Sequence, residues 1–181
     1  MTDQPSIPDD PVYSRKVIEM ITVANEYCLF LEKAEDYTKQ ELYQSLHKLA
    51  PLIYLKASLL PDIVVSDEDA IEHYVTEEQW ETLFNILRNK FDLDDTYSYI
   101  DLHEKSHTDA KTGSMAENFT DIYQDLKDFV LLYQKPLKSF KENAVRDCKR
   151  LFETRYGFRL VTVHAALHHV MFSGEKEDEI Y

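Results

Sequence analysis

The chain has 181 residues, 44% of them apolar, with 34 Asp and Glu against 20 Lys and Arg, for a formal charge of −14. That length builds one domain with a real core, and its three glycines supply no phosphate loop, dinucleotide fingerprint or nucleophile elbow. A surface this acidic repels phosphate backbones, which argues against nucleic acid as a partner through the acidic face.

Residues 1–11 carry Pro5, Pro8 and Pro11 and read as a disordered lead-in. Met1-Thr2-Asp3-Gln4-Pro5 has no basic or apolar leader character, and no stretch reaches the length of a membrane span. The expected location is therefore cytoplasmic. A helical domain is expected over 12–174. Its first helix covers 12–34, where Val17, Ile21, Ala24, Cys28 and Leu31 alternate by four and three along one face. Cys28, like Cys148 further on, sits at an apolar helix position and reads as a reduced core thiol.

Three helix starts are chemically marked: Thr38-Lys39-Gln40-Glu41, Thr76-Glu77-Glu78-Gln79 and Ser114-Met115-Ala116-Glu117. Each reads as a capping box, the hydroxyl accepting from a backbone N–H three residues on while the acid or amide reaches back. Tyr37 with Leu42, and Val75 with Trp80, add apolar staples. The starts are evenly spaced, but the segments between them differ in kind, so the spacing is no repeat.

The second helix begins at Thr38 and carries Leu42, Leu46, Leu49, Ile53, Ala57 and Leu60. Pro51 removes a backbone donor inside it and is expected to kink or split it near Ala50. Residues 61–75 form an acidic connection. The third helix follows Thr76 with Trp80, Leu83, Phe84, Leu87 and Phe91, and 92–113 reads as a long polar loop. The fourth follows Ser114 with Phe119, Ile122, Leu126, Phe129 and Tyr133. Pro136 opens the fifth and Gly157 is expected to end it. The sixth, about Arg159 to Phe172, is apolar nearly all round, which predicts a central position. Residues 175–181 read as an acidic tail. The sum is an all-α, single compact bundle of about six helices with helix 6 central.

Charge is unevenly spread. Between Asp62 and Glu104 thirteen acids face only Arg88 and Lys90. This run reads as a solvated face or as a docking surface for a basic partner. Lys138, Lys141, Arg146, Lys149 and Arg150 form a small basic counterpart that can meet acid within the bundle or on a neighbour.

Four sets of residues could carry chemistry. His103-Glu104-Lys105-Ser106-His107 fits the H-E-x-x-H zinc pattern, but it lies in a polar stretch with no apolar stripe to make it helical. We expect no metal there. Glu117, Asp121, Asp125 and Asp128 line one face of the fourth helix, as do the Mg²⁺-holding rows of nucleotide-hydrolysing bundles. Most of them fall opposite the apolar face, Asp125 lying nearest its boundary. His164 and His168 are one turn apart on the sixth helix, where paired core histidines are the plainer reading than metal ligands. Arg155 falls on an apolar face and needs an acidic partner.

From Ser114 onward the residues resemble a bacterial family. The strings are Ser114-Met115-Ala116-Glu117-Asn118-Phe119-Thr120-Asp121-Ile122-Tyr123-Gln124-Asp125-Leu126-Lys127, Phe152-Glu153-Thr154-Arg155-Tyr156-Gly157 and Ala165-Ala166-Leu167-His168. Upstream, Leu55-Lys56-Ala57-Ser58-Leu59-Leu60-Pro61 and Asp95-Thr96-Tyr97 also fit. Together they are similar to the domain-of-unknown-function family numbered 5063, over about residues 40–170. The family pattern has Trp where this chain has Tyr156 and His where it has Arg155, and it lacks the H-E-x-x-H string. The resemblance implies an all-helical bacterial cytoplasmic protein and no established activity. Asp121, Asp125, Glu153, Arg155 and His168 lie within its strings, so a polar cluster of these five, joining helices 4, 5 and 6, is the candidate site. No cofactor or metal is implied. The leading functional reading is a non-enzymatic protein-interaction or adaptor module. The alternative is a Mg²⁺- or Mn²⁺-dependent helical-bundle hydrolase of a phosphorylated small molecule, using the helix 4 carboxylates with His168.

Overall fold

The computed structural model describes residues 10–101 and 109–173, so the H-E-x-x-H string, most of the N-terminal lead-in and the acidic tail lie outside the described residues. A 3-10 turn over Pro11–Tyr13 leads into α1 (Arg15–Leu31), followed by α2 (Lys39–Ser58) and α3 (Glu77–Phe91). A hairpin of β1 (Thr96–Ile100) and β2 (Ala110–Ser114) comes next, then α4 (Met115–Tyr133), α5 (Lys138–Leu151) and α6 (Gly157–Phe172).

The helix starts obey the cap chemistry, with one revision. Thr38 and Thr76 both form full capping boxes, with Glu41 and Gln79 reaching back. Ser114 accepts from the Glu117 N–H at 3.1 Å, but Glu117 does not complete a box. Buried Asp95 adds a second cap. Its carboxylate accepts from the Ala116 N–H at 2.7 Å and from the Ser114 hydroxyl at 2.8 Å, and its carbonyl accepts from the Met115 N–H. The hairpin therefore supplies a second N-terminal cap of α4.

The expected polar loop over 92–113 is in its described part a 3-10 turn over Asp92–Asp94 followed by an antiparallel hairpin, in register from Thr96↔Ser114 to Ile100↔Ala110. Thr96, Ser98 and Ile100 are exposed while Tyr97 and Tyr99 turn inward, a period of two over five residues. Gly113 stands opposite Tyr97, and a Cβ there would come within 2.8 Å of Tyr97 Cζ. The missing side chain seats the ring. The Tyr97 hydroxyl then accepts from Asn118 Nδ2 at 2.7 Å and donates to Thr162 Oγ1 at 3.2 Å, pinning the hairpin to α4 and α6.

Pro51 does not split the second helix, which runs unbroken from Lys39 to Ser58 with Pro51 on its exposed side. Gly157 does not end the fifth. A π-helical turn over Phe152–Tyr156 joins α5 to α6, with the Gly157 N–H bonded to the Phe152 carbonyl. A Cβ at 157 would lie 2.4 Å from that carbonyl oxygen, so glycine permits the passage. The described residues thus hold five helical rods rather than six, α5 and α6 being one.

The central helix is α4, not α6. It packs against α1, α3, α5 and α6 and buries twelve of its residues. α6 buries Leu160, Val163 and Leu167 toward α2 and α4, but Val161, Ala165 and Phe172 face outward. Apolar coverage all round predicts a central α6; in the fold, half of that coverage is surface. Cys28 and Cys148 are both buried free thiols.

Candidate functional site

α4 and the π turn with α6 face each other through two acid–base rungs one helical turn apart. Arg155 grips Asp125 from two sides, Nε to Oδ2 at 3.0 Å and Nη2 to Oδ1 at 2.5 Å. One turn along, Arg159 is ion-paired with Asp121, whose other oxygen accepts from Trp80 Nε1 at 2.9 Å. The spacing explains the ladder: 121 and 125 are four apart on one helix, 155 and 159 four apart on the other. The π turn sets the phase, because its one extra residue rotates α6 relative to α5.

Of the five predicted residues, then, the structure joins Asp125 with Arg155, and gives Asp121 to Arg159. Glu153 is exposed on the π turn, outside both rungs. His168 is exposed and belongs elsewhere, its Nδ1 lying 3.2 Å from His47 Nε2 on α2. No single cluster of five forms. Arg159, Trp80 and His47 are the partners that sequence reasoning missed. Arg159 had a signal, the matching i, i+4 spacing of two acids and two arginines. His47 had none, since pairing α2 with α6 is a matter of tertiary packing.

Asp125 is 7% exposed, and burial pushes its carboxyl up to about 6 against the opposing pull of Arg155. Behind it the Cys148 thiol touches the Tyr156 hydroxyl at 3.3 Å, and burial raises both groups. Asp128, the next acid on α4, accepts from the Tyr74 and Val75 N–H groups and from His73 Nδ1. The α4 carboxylates are thus spent on in-chain partners, apart from exposed Glu117. Among the described residues no group of three or more His, Cys, Asp or Glu side chains is placed to hold a metal ion.

The basic counterpart on α5 closes on the acidic connection of the same bundle. Lys149 pairs with Asp62 at 2.5 Å and Arg146 with Glu68, while Ser66 caps onto Glu142 through its hydroxyl and N–H. Glu72 pairs with Lys135 and Asp94 with Lys39.

A different surface stands open. α2 and α6 flank an apolar groove of about 520 Å³ lined by Pro51, Tyr54, Leu160, Val161, Ala165 and His168. Val161 and Ala165 also line a cavity of about 620 Å³ on the other side of α6, against Leu93 and Ile100. Val161 and Leu55 are each 53% exposed, and Leu93 90%. Residues 42–61 and 154–173, which build the groove, contain no Asp or Glu at all in a chain that has 34. At one edge His47, His164 and His168 stack in a row, ring centroids 4.8 Å and 5.4 Å from His47. Burial, with the neighbouring imidazoles, holds His164 below the usual histidine range.

These features define a helical-bundle protein built on one central helix, with a pinned hairpin and an uncovered apolar face. The chain belongs to the DUF5063 family, a domain of unknown function, whose model matches residues 11–173. It is also similar to a solved structure, protein BF1032 from Bacteroides fragilis, at 33% identity and a TM-score of 0.81, over 92% of this chain and 99% of that one. No curated protein matches the chain. No described helix is long and apolar enough to cross a membrane.

Proposed function

We propose that this protein is a non-enzymatic protein-interaction module, and that its docking face is the α2/α6 groove. The observation that carries the reading is that α6, apolar nearly all round, lies at the surface, leaving Val161, Ala165 and Phe172 uncovered beside Tyr54 and Leu55 of α2. Uncovered apolar surface of this extent marks interaction sites.

The occupant is an amphipathic helix of a partner protein whose polar rim is acidic. Charge complementarity argues for it. The groove's two helices have no acids along these stretches, while Lys48 stands exposed on α2. A helix lays its apolar stripe into such a groove, and its rim sets specificity and on-rate. The acid-rich run over 62–104 has less to give a basic partner, because Asp62, Glu68, Glu72 and Asp94 are paired within the chain.

The test is a synthetic peptide helix with a leucine stripe and a glutamate rim, titrated into the labelled protein. Amide shifts confined to α2 and α6 are the expected result. Shifts mapping to α3 and the acidic connection, or none, would overturn the reading. Self-association that an acid placed at Ala165 abolishes would assign the face to a second copy instead.

A further inference from the structure

A second cavity, on the far side of the Asp–Arg ladder from the buried thiol, has a different character. It encloses about 320 Å³ between the hairpin, the first turn of α4 and the π turn with α6. Arg155 and Arg159 line it, together with Tyr99 and Phe158, whose rings are in edge contact at 6.1 Å. Glu117 stands at its rim, and Asp101 is held by Lys111 at 2.9 Å.

Both arginines are fixed and incompletely used. A guanidinium has five N–H donors. Asp125 takes two from Arg155, through Nε and Nη2, leaving Nη1 and the outer Nη2 proton. Asp121 engages Arg159 through Nη1, leaving Nε and Nη2. The side chains are 40% and 31% exposed, and both residues line the cavity. An arginine held by an aspartate loses little further freedom when it binds a second planar anion. The remaining polar wall is already satisfied: Tyr97, Asn118 and Thr162 bond one another. Such a frame is rigid and offers few competing donors. The π turn that carries Arg155 and leads into the Arg159 turn of α6 is an irregularity of the kind often found at binding sites.

We propose that this cavity binds a small aromatic carboxylate, the carboxylate meeting the free edges of Arg155 and Arg159 and the ring lying against Tyr99 and Phe158. The volume suits one ring with its substituents, at the lower end of small-molecule sites. The local charge disfavours a phosphate dianion more than a monoanion, because each arginine is already paired with one aspartate and Glu117 adds a negative charge at the mouth. The site is independent of the α2/α6 groove, and neither reading needs the other.

The experiment is a titration of the full chain with benzoate, followed by amide shifts and calorimetry, with inorganic phosphate as the comparison anion. Saturable binding with shifts at Gly113, Asn118 and Phe158 is expected. Arg159→Gln should weaken it at least tenfold. Glu117→Gln, at an exposed position, should tighten it about threefold by removing a like charge. Since Arg159→Gln also strands Asp121, its folding is checked by its melting curve, and the Glu117 variant carries the test if that variant unfolds. No saturation by benzoate, tighter binding of phosphate than of benzoate, or an affinity unmoved by Glu117→Gln would each overturn the proposal.

Discussion

Arg155 on the π turn holds Asp125 of α4 by two hydrogen bonds, at 3.0 and 2.5 Å, with the carboxylate buried and the guanidinium 40% exposed. The asymmetry decides how the pair behaves. The arginine is partly solvated, whereas the buried aspartate relies chiefly on it to offset desolvation.

Arg155→Ala should destabilise the protein by about 2 kcal/mol, read as a lower urea midpoint at unchanged slope. The figure is smaller than the roughly 3–5 kcal/mol of a fully buried broken pair, because Arg155 is part-exposed and stranded Asp125 can take a proton. A loss below about 0.5 kcal/mol would show that the pair is a surface contact only.

Asp125 also sets a pH dependence. Its folded value of about 6 lies above its unfolded 3.8, so its neutral form is the one that favours folding. That contribution is full below 3.8 and is lost as pH rises through about 6, on the order of 2–3 kcal/mol in all. Asp125→Asn imitates the neutral acid. Its stability relative to the natural chain should rise between pH 4 and pH 7, when both are followed by urea denaturation. A relative stability that falls over this window would mean that Arg155 outweighs burial.

Gly157→Ala should cost about 2 kcal/mol, because the new methyl meets the Phe152 carbonyl at 2.4 Å and the π turn must shift. The shift should also rotate Arg155 and Arg159 off their aspartates. Thermal melting gives the first effect, and loss of the Arg155 Nε proton signal in NMR gives the second. A variant that melts with the natural chain would show that the turn tolerates a side chain.

Tyr97→Phe removes a hydroxyl shared between Asn118 and Thr162 and should cost about 1 kcal/mol. The loss should be local. Amide exchange should quicken over 96–100 and 110–114 while α4 stays protected. Uniform acceleration across α4 would place the hairpin within the global folding unit.

The range of each interaction decides how much of the fold is legible in the sequence. The helices at Thr38 and Thr76 are marked by residues three apart, and the chain reads them directly. Ser114 carries the same local mark and caps its helix, but the second cap comes from Asp95, which only the fold brings close. The hairpin itself is hidden because Thr96-Tyr97-Ser98-Tyr99-Ile100 is short and lies in a polar context. Gly157 reads as a terminator, since a glycine that stops a helix and one that admits a close carbonyl look the same in one dimension. α6 shows the limit most clearly. Apolar coverage predicts that a face will be covered, not that the chain itself covers it. The need of Arg155 for an acid is legible, with Asp125 among the predicted partners; His168 falls out of the site because its neighbour His47 lies 121 residues away in the chain.

The most direct measurement compares two peptide helices with the same leucine stripe, one rimmed with glutamate and one with lysine, for binding to the natural chain and to Ala165→Glu. The account predicts that the glutamate-rimmed helix binds at least tenfold more tightly, that added salt narrows the difference, and that Ala165→Glu removes it without changing the melting temperature. Preference for the lysine-rimmed helix, or equal binding by the Ala165 variant, would contradict the claim that the acid-free α2/α6 face is the docking surface.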